Sequence, residues 1–479
     1  METILWHDYE TTGAIPSQDR PVQFAAIRTT LDLDVVDDPL MLYCQIPDDC
    51  IPSPMACLVT GISPQQANKQ GVPETEFIRR IQAEMIQPGT CTAGYNSIRF
   101  DDEVTRYTLY RNFIDPYTRE WKNGNSRWDI IDLVRLVYLL RPDTLHWPKK
   151  DNGAPSFRLE ELTACNGIGH QDAHDALSDV HATIALARLI KERQPKVYEH
   201  YWKLRRKAFV SQQIDIPNKK PFLHVSSRFP AVRGCAAIMA PLVQLKSNPN
   251  AFIAFDLEAD PHALLGQTTE ELAKRVFSKK EDLPEGVERI PLKLIHLNRS
   301  PVVLPVNTLS KERAAEFQID LEACQEHWNN LLALDLSEID FEKLFSFDES
   351  AHSETDPEQA LYKAFIPDSD RKLADSIAQL LPDELRLADI SFTDKRMQEL
   401  LFRYRARNFP DSLLAEEQKR WRDWVITKLN YGEPYGEPIG KVLEEIDRLL
   451  EGKLDQRGIE VLKQLQSWLD SLRSIYAQV

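Results

Sequence analysis

The stretch HDYETTG, residues 7–13, follows a short apolar run and places two carboxylates, Asp8 and Glu10, at the end of a predicted strand. Residues i and i+2 of a strand point to the same face, so Asp8 and Glu10 project together while His7 and Tyr9 face the other way. Two close like charges repel unless a cation lies between them, and oxygen ligands suit magnesium or manganese better than zinc. The alternative is that the strand ends at Tyr9 and both carboxylates are solvated at its tip.

The composition of the 479-residue chain is that of an ordinary globular protein, with 42% hydrophobic and 28% charged residues. Its length predicts about two to four domains. No uninterrupted apolar run is long enough to span a bilayer, and the start METILWHDYE has neither a basic region nor a leader-like apolar stretch, so we expect a cytoplasmic location and no membrane partner. The seven cysteines are scattered and contain no C-x-x-C pair, which predicts reduced packing residues rather than disulfides or a zinc site.

The formal net charge of -16 argues against a protein that simply coats a polyanion. Such proteins generally present a net basic face. The charge does not exclude nucleic acid, because carboxylates that bind cations beside a locally basic groove produce the same net balance. The chain is therefore a candidate for a protein that combines both features.

Three segments of different pattern follow one another along the chain. Residues 1–190 place strands first and helices after them, including a predicted strand over VQFAAIRTTLDLDVV that pairs with the first strand as a hairpin, and this order predicts a mixed α/β domain. A charged stretch with Pro195 marks the first boundary. Segments rich in Val, Ile, Leu and Phe then predict a small antiparallel β domain within 195–350, and helical periodicity predicts an all-helical segment over 351–479.

A second group of acids follows a buried-looking strand in GYNSIRFDDEVTR, where Asp101, Asp102 and Glu103 stand at the predicted start of a helix. Acidic residues are favoured there by the helix dipole and by capping, so this group is also explained without any catalytic role. We place Asp101 at the candidate site because it directly follows Phe100. Spacing alone does not choose between the neighbouring acids.

The third motif lies in AHDALSDVHATIALARLI, where apolar residues recur at helical spacing and predict a buried stripe with Asp179 beside it. Five residues along an ideal helix turn through about 140°, so His174 and Asp179 diverge if both are helical. They converge only if His174 lies in the loop before the first turn. The alternatives are that His174 is a cap or surface residue and that Asp175 is the carboxylate at the helix start. The residues of the predicted stripe are Ala173, Leu177, Val180, Ile184 and Ala187.

Together, the D-x-E pair, the acid after a middle strand and the H-x-x-x-x-D motif resemble the DEDDh exonucleases of the ribonuclease-H-like superfamily. The stretches RPVQFAAIRT, YRNFIDPY, NSRWDIIDL and PSFRLEELT are similar to the bacterial members that digest single-stranded DNA, and RYRARNFP at 403–410 extends the resemblance over essentially the whole chain. The resemblance implies a ribonuclease-H-like exonuclease core with a mixed sheet (1–190), an SH3-like β domain (195–350) and an all-α C-terminal domain (351–479).

The resemblance also assigns the catalytic residues. It makes Asp8, Glu10, Asp101 and Asp179 the acids that bind two Mg²⁺ ions, with Mn²⁺ as a substitute, and His174 the general base. It selects Asp101 and Asp179 over their acidic neighbours. The implied reaction is processive 3′-5′ hydrolysis of single-stranded DNA to nucleoside 5′-monophosphates by a monomer, with a role in DNA repair and recombination.

Cations and aromatic rings alternate over residues 106–135. Channels for single-stranded nucleic acid need both, because cations follow the phosphates and rings stack on the bases. For any single residue the alternative is that the ring packs a helix and the arginine lies along its surface. The substrate contacts that the resemblance implies are Glu10, Thr11, Arg106, Tyr117, Trp121, Arg135 and Arg158.

The resemblance implies two further properties of the later segments. The run Arg403, Arg405 and Arg407 would line a DNA groove, although a solvated helix face is the usual explanation for such a run. A partner is implied as well, because the family docks the acidic C-terminal tail of single-stranded DNA-binding protein, and Lys220 would belong to that pocket.

Two other classes of function remain open from the residues. An RNA-trimming exonuclease or a polymerase proofreading subunit would share the five core residues, but such proteins are usually little more than the core domain. A non-catalytic single-strand binding protein could use the acids to hold a structural metal. The presence of His174 argues against that alternative, because a structural metal site has no need of a base.

Overall fold

The structure is a computed structural model that describes residues 2–170, 174–346, 356–377, 379–380, 384–385, 390–432 and 436–476. The chain forms two compact units. The first unit comprises Met1–Ser126, His170–Ile184 and Ser353–Val479, and the second comprises Arg127–Gly169 and Ala185–His352.

The strands of the described residues are, in chain order, β1 (Thr3–Thr11), β2 (Pro21–Thr29), β3 (Leu40–Tyr43), β4 (Thr90–Gly94), β5 (Ser126–Asp129), β6 (Phe222–Val225), β7 (Ala236–Gln244), β8 (Ala251–Asp256), β9 (Leu292–His296) and β10 (Val302–Pro305). β1 to β4 lie in the first unit and β6 to β10 in the second. The chain passes from the first unit to the second within β5.

The α-helices of the described residues are α1 (Pro54–Thr60), α2 (Pro64–Gln70), α3 (Glu74–Met85), α4 (Asp101–Arg111), α5 (Ile131–Leu140), α6 (Leu159–Cys165), α7 (Ala176–Arg193), α8 (Pro195–Lys203), α9 (Lys207–Gln213), α10 (Thr269–Phe277), α11 (Lys311–Glu316), α12 (Leu321–Ala333), α13 (Phe341–Ser346), α14 (Asp368–Ile377), α15 (Lys395–Asn408), α16 (Ala415–Tyr431), α17 (Ile439–Leu450) and α18 (Gln456–Ile475). Among them, none combines the length and the apolar character that a bilayer crossing requires.

The sheet of the first unit is mixed, as expected, with the strand order β3-β2-β1-β4. β1 pairs with β2 in antiparallel fashion and with β4 in parallel fashion. The central strand β1 is therefore hydrogen-bonded on both edges. Apolar side chains on one of its faces, such as Leu5 and Tyr9, pack with Phe24 of β2 and with Phe77 and Ile81 of α3. This packing holds the strand that carries Asp8 in a rigid setting.

The strand predicted over VQFAAIRTTLDLDVV is too long. β2 ends at Thr29, because a tight turn follows in which Thr30 N donates to Asp34 O at 2.8 Å and Leu33 adopts a left-handed φ of 71°. Beyond the turn, Val35 forms only an isolated bridge back to Thr29. The apolar pattern continues through this turn, so hydrophobicity alone did not reveal the end of the strand.

The second unit contains an antiparallel sheet in the order β10-β6-β7-β8-β9, which confirms the small antiparallel β domain predicted there. The sheet is interrupted in sequence by α10, which lies between β8 and β9. A capping box between Thr268 and Glu271 begins this helix. Such a box favours a helix start locally and explains why a helix is inserted into a β-rich segment.

The C-terminal helices pack directly against the N-terminal part of the first unit. Tyr110 and Phe113, at the end of α4 and just beyond it, share a core with Leu400 and Tyr404 of α15. A separate core joins the β2 residue Val22 and its neighbours to α16, α17 and α18. The helices predicted for the C-terminal segment are confirmed over its described residues, and they complete the core of the first unit.

Candidate active site

Three carboxylates from distant parts of the sequence meet at the end of β1. Asp8, Glu10 and Asp179 each present an oxygen atom, and these atoms lie within 4.8 Å of one another. We call these three residues the acidic cluster. Asp8 and Glu10 share a face of β1, as strand alternation requires, and Asp179 comes from the first turn of α7. The arrangement is suited to holding a hard divalent cation.

The electrostatics of the acidic cluster support this interpretation. Burial, together with the charges of Asp101, Glu10 and Asp179, raises the pKa of Asp8 well above its ordinary value. Burial and the neighbouring Asp179 and Asp101 raise the pKa of Glu10 to about 9. Burial also raises the pKa of Asp179. A cation bound among these oxygens would favour their ionised forms, so the donor set fits a divalent metal.

Asp101 and Asp102 are adjacent in sequence but have different environments. Asp101 is the first residue of α4, and its Oδ1 accepts a hydrogen bond from Tyr9 N at 3.0 Å, beside the acidic cluster. Its charge raises the pKa of both Asp8 and Glu10. Asp102 instead accepts a hydrogen bond from Arg119 Nη2 at 2.8 Å in a buried ion pair. Asp101 therefore faces the cluster and Asp102 does not belong to it.

His174 lies in the turn that precedes α7, with a left-handed φ of 67°. Burial raises the pKa of Asp179, whereas His170 and a backbone hydrogen bond from His174 lower it, so the His174 backbone lies beside the Asp179 carboxylate. Asp175 is a capping residue: its Oδ2 accepts from Ser178 N at 3.3 Å and its Oδ1 from Gln23 Nε2 at 3.0 Å. The predicted stripe is buried at Val180, Ile184 and Ala187, whereas Leu177 is half-buried and Ala173 lies outside the described residues.

A second histidine, His170, was missed by the sequence analysis. Its Nε2 contacts Asp179 Oδ1, and only 4% of its side chain is exposed. It stands nine residues from Asp179, a separation that fits no regular helix or strand spacing. The only signal in the sequence was its position four residues before His174.

Arg106, a predicted substrate contact, is buried among acidic partners. Its Nε and Nη2 donate to the two carboxylate oxygens of Glu120 at 2.7 and 2.8 Å, and its Nη1 donates to Glu103 at 2.7 Å and to the Tyr362 hydroxyl at 2.9 Å. Its guanidinium carbon lies 5.3 Å from the centre of the Tyr117 ring. A DNA contact by Arg106 stays a prediction.

The remaining predicted substrate contacts lie in varied settings. In the first unit, Thr11 Oγ1 donates to Gly13 O at 2.6 Å, and the Trp121 side chain is 65% exposed. In the second unit, Arg135 forms a pair with Asp132 and lies over the Phe157 ring. Arg158 is exposed, and its nearest acidic partner is Glu161 at 3.5 Å.

Two exposed rings near Tyr117 were not anticipated. Tyr362 is 52% exposed and Phe365 is 96% exposed, and both line a cavity of about 670 Å³ that Tyr117 also lines. Lys122, Lys363 and Arg371 contribute positive charge to the same cavity, and Asp115 and Asp375 contribute negative charge. Such exposed rings beside cations are typical of surfaces that bind single-stranded nucleic acid. Both rings are about 250 residues from Tyr117 along the chain, so the sequence did not reveal that they lie near it.

The arginine run of α15 does not form a solvated face. Arg403 pairs with Asp356 at 2.7 Å, Arg407 pairs with Asp49 at 2.7 Å, and both arginines are buried. Arg405 pairs with Glu417 at 2.8 Å. The explanation as a solvated helix face is wrong for Arg403 and Arg407, and their place along a DNA groove stays a prediction.

These arginines belong to a larger group of buried charges, which we call the ion-pair cluster. In it, Arg20 pairs with Glu74 at 2.8 Å and with Glu358 at 3.2 Å, and Arg111 pairs with Glu74 at 3.1 Å. The ion-pair cluster consists of Arg20, Asp49, Glu74, Arg111, Asp356, Glu358, Arg403, Arg407 and Lys428. Every carboxylate in it has at least one cationic partner.

Comparison with known protein families covers most of the chain. The family described as "Exonuclease" matches residues 5–187, the "Exonuclease I SH3-like domain" matches 205–346, and the "Exonuclease I C-terminal domain" matches 355–472. Exodeoxyribonuclease I of Haemophilus influenzae is 44% identical over 425 residues, which are 88% of this chain and 90% of that protein.

Solved structures show the same similarity. Escherichia coli exonuclease I in complex with a dA16 oligonucleotide is 40% identical, with a TM-score of 0.92 over 98% of this chain and 100% of that chain. The zinc-bound form of the Escherichia coli enzyme with single-stranded DNA is 40% identical, with a TM-score of 0.90 over 98% of this chain and 99% of that chain. The similarity therefore extends over all three predicted segments.

Proposed function

The chain belongs to the exonuclease I family of exodeoxyribonucleases, and from this premise we propose that it degrades single-stranded DNA from the 3′ end to nucleoside 5′-monophosphates. The observation that carries the proposal is the acidic cluster, whose oxygen atoms lie within 4.8 Å of one another. The oligonucleotide and zinc complexes of the Escherichia coli enzyme support a DNA substrate and a divalent metal.

We propose Mg²⁺ as the metal, with two ions at the site and Mn²⁺ as a substitute. Asp8, Glu10, Asp101 and Asp179 would hold them, because oxygen ligands suit these hard cations. When bound, the ions supply Lewis-acid stabilisation for charge on the attacking and leaving oxygens. Asp101 is held toward the site by the Tyr9 amide at 3.0 Å, so little reorganisation is needed there.

We propose His174 as the general base that accepts the proton of the attacking water. Histidine in general titrates near neutral pH, which makes it both available and basic. The proposal is supported by the position of His174 in the turn before α7, where its backbone lies beside the Asp179 carboxylate without both residues having to lie on the helix. This assignment rests on the proximity and on the family resemblance.

We propose that the strand of DNA follows the exposed rings of the first unit. Trp121, Tyr362 and Phe365 present faces on which bases can stack, at about 1 to 3 kcal/mol per base. Substitution Phe365→Ala is therefore expected to raise the KM for a long single strand about tenfold and to leave kcat unchanged. Phe277→Ala, which removes an exposed ring from the second unit, is the matched control. Equal KM values for the two variants would contradict this path.

The test of the reaction uses oligonucleotides labelled at either end. Incubation with Mg²⁺ should release labelled mononucleotide at once from a 3′-labelled single strand, and a 5′-labelled strand should shorten progressively. EDTA should stop both reactions. RNA and duplex DNA should be degraded far more slowly, and equal degradation of RNA would favour an RNA-trimming enzyme instead.

The test of the base compares two histidines near the start of α7. His174→Ala should lower kcat by about a hundredfold or more. His181→Ala, at an exposed position on the same helix, is the matched control and should retain the wild-type rate. Full activity of His174→Ala would exclude His174 as the base.

We also propose the cellular setting that the family resemblance implies. The enzyme would act as a cytoplasmic monomer in DNA repair and recombination and would bind the acidic tail of single-stranded DNA-binding protein through a pocket that includes Lys220. Its domains would span 1–190, 195–350 and 351–479. Fluorescence anisotropy with a labelled tail peptide tests the partner: Lys220→Glu should weaken binding, and Lys274→Glu serves as the matched charge control.

A further inference from the structure

Arg119 is a fully buried cation close to the candidate active site. It lies in the segment between α4 and β5, and none of its side chain is exposed. Its Nη2 donates to Asp102 Oδ1 at 2.8 Å and also lies 3.7 Å from Glu120 Oε1. The Arg119 guanidinium therefore contacts both Asp102, which is next to Asp101, and Glu120, which pairs with Arg106.

The first connection leads to the proposed metal ligand Asp101. Asp102 follows it directly in the first turn of α4, and the Asp102 amide donates to Ser97 O at 2.9 Å. The Asp101 carboxylate accepts from Tyr9 N. The position of Asp101 is thus set by its own contact to β1 and by the side chain of its neighbour, which Arg119 holds.

The second connection leads to the proposed DNA contact Arg106. The Glu120 carboxylate accepts hydrogen bonds from both Nε and Nη2 of Arg106, and this bidentate pair fixes the plane of the Arg106 guanidinium. Glu120 is itself 7% exposed and lies within 3.7 Å of Arg119. Arg119 therefore holds the acid that orients Arg106.

Stability does not explain why a charge is buried at this position. Burying an ion pair costs desolvation that the attraction often fails to offset, and apolar residues of similar size frequently serve as well. In addition, Nε and Nη1 of Arg119 have no hydrogen-bond partner among the described residues. An apolar residue would serve packing better than Arg119 at this position. A cation is needed only if it must hold the two acids Asp102 and Glu120.

We propose that Arg119 is a positioning residue that, through Asp102 and Glu120, sets both the metal ligand Asp101 and the DNA contact Arg106. This inference rests on the proposed function, because it assumes that Asp101 binds metal and Arg106 binds DNA. Because its side chain is fully buried, Arg119 would act only through these two acids.

The experiment measures metal and DNA binding separately, without turnover. Mn²⁺ affinity is measured by calorimetry on the DNA-free protein, and the affinity for a fluorescent single strand is measured by anisotropy in EDTA. Arg119→Met should weaken Mn²⁺ binding by about 10- to 100-fold and DNA binding by about tenfold. Asp102→Asn should weaken only Mn²⁺ binding, Glu120→Gln only DNA binding, and Arg119→Lys should restore part of both.

Two further variants separate positioning from folding. Arg28→Met removes a buried arginine of β2 that pairs with Glu84 at 3.0 Å. This variant should lower the melting temperature without changing the affinity for Mn²⁺ or for DNA. The double variant Arg119→Met with Asp102→Leu replaces the pair by apolar groups and should regain stability but not Mn²⁺ affinity. Wild-type affinities in this folded double variant would overturn the proposal. If wild-type protein itself binds no Mn²⁺ and degrades no DNA, the proposed function fails instead.

Discussion

Two groups of buried carboxylates in the first unit are opposite in their electrostatics. In the ion-pair cluster, burial alone would raise the pKa of Glu74, but Arg111 and Arg20 outweigh it and lower that pKa to about 2. In the acidic cluster, burial and the neighbouring acids act together and raise the pKa of Glu10 to about 9. The residue types are the same and the burial is similar.

The difference lies in the source of positive charge. Arginine and lysine side chains of the chain itself neutralise the ion-pair cluster, so that cluster is complete without a ligand. Among the described residues, no arginine or lysine pairs with the acidic cluster, in which Asp179 contacts His170, and its repulsion is relieved by protonation or by a bound cation. Carboxylates that lack a cation from the protein are thus the ones that mark the functional site.

The largest expected difference between the two clusters is in how their substitutions change the rate of DNA degradation. Asp179→Ala removes a ligand from the acidic cluster and should reduce the release of nucleotides by about a thousandfold or more, because metal stabilisation of the reacting oxygens is worth several kcal/mol. Its melting temperature in EDTA should change little, since a repulsive charge and the contact of Asp179 with His170 are lost together. Release of labelled mononucleotide and thermal unfolding measure the two effects. Wild-type activity of the Asp179→Ala protein would contradict the proposal that the acidic cluster binds the catalytic metal.

Substitutions in the ion-pair cluster are expected to lower stability and to leave activity unchanged. Arg407→Met leaves Asp49 and Glu358 with fewer partners and should lower the free energy of unfolding by about 3 to 5 kcal/mol. The folded fraction should keep the wild-type kcat. Denaturant unfolding measures the loss, and Arg80→Met, which removes an exposed pair with Glu76, is the matched control with an expected loss below about 1 kcal/mol.

Metal binding at the acidic cluster should stabilise the folded protein, whereas the ion-pair cluster should not contribute to this gain. Mg²⁺ at about a hundred times its dissociation constant should raise the free energy of unfolding by about 2.7 kcal/mol, because it binds the folded state alone. The gain should disappear in Asp179→Ala and persist in Arg80→Met. Thermal unfolding with and without EDTA measures it. An undiminished gain in Asp179→Ala would place the metal elsewhere.

The smallest effect expected is an opposite dependence on pH. In EDTA, the raised pKa of Glu10 contributes stability that is complete below the ordinary value of 4.5 and is lost as the pH rises through about 9. The lowered pKa of Glu74 contributes stability that is present above 4.5 and is lost as the pH falls through about 2. Melting temperatures across this range should show that Glu10→Gln reduces the alkaline loss, to which Asp8 and Asp179 also contribute, and leaves the acid loss unchanged.

Local patterns in the sequence predicted the elements that carry the site. Alternation along β1 placed Asp8 and Glu10 on one face, and helical spacing placed Val180 and Ile184 in the core with Asp179 beside them. The end of β2 was not predicted, because the apolar pattern continues through the turn at Leu33. Period and propensity describe a segment, but they do not show where the backbone must turn.

The partners of charged residues could not be predicted. Arg403 and Arg407 have the spacing of a solvated helix face, yet their acidic partners come from Asp356 and Asp49, which are distant in sequence. His170 and Arg119 gave no usable signal for the same reason. A charge in a linear pattern reveals its sign but not what lies opposite it in the folded chain.

The strand β1, the helix α7, the shared face of Asp8 and Glu10 and the motifs typical of the family could all be predicted from the residues, because these features depend on residues that are near one another along the backbone. The folded structure was needed to show which carboxylates pair with cations of the protein and which do not. That outcome depends on contacts between side chains separated by tens to hundreds of residues, where burial makes each pairing strong and no local rule specifies the partner.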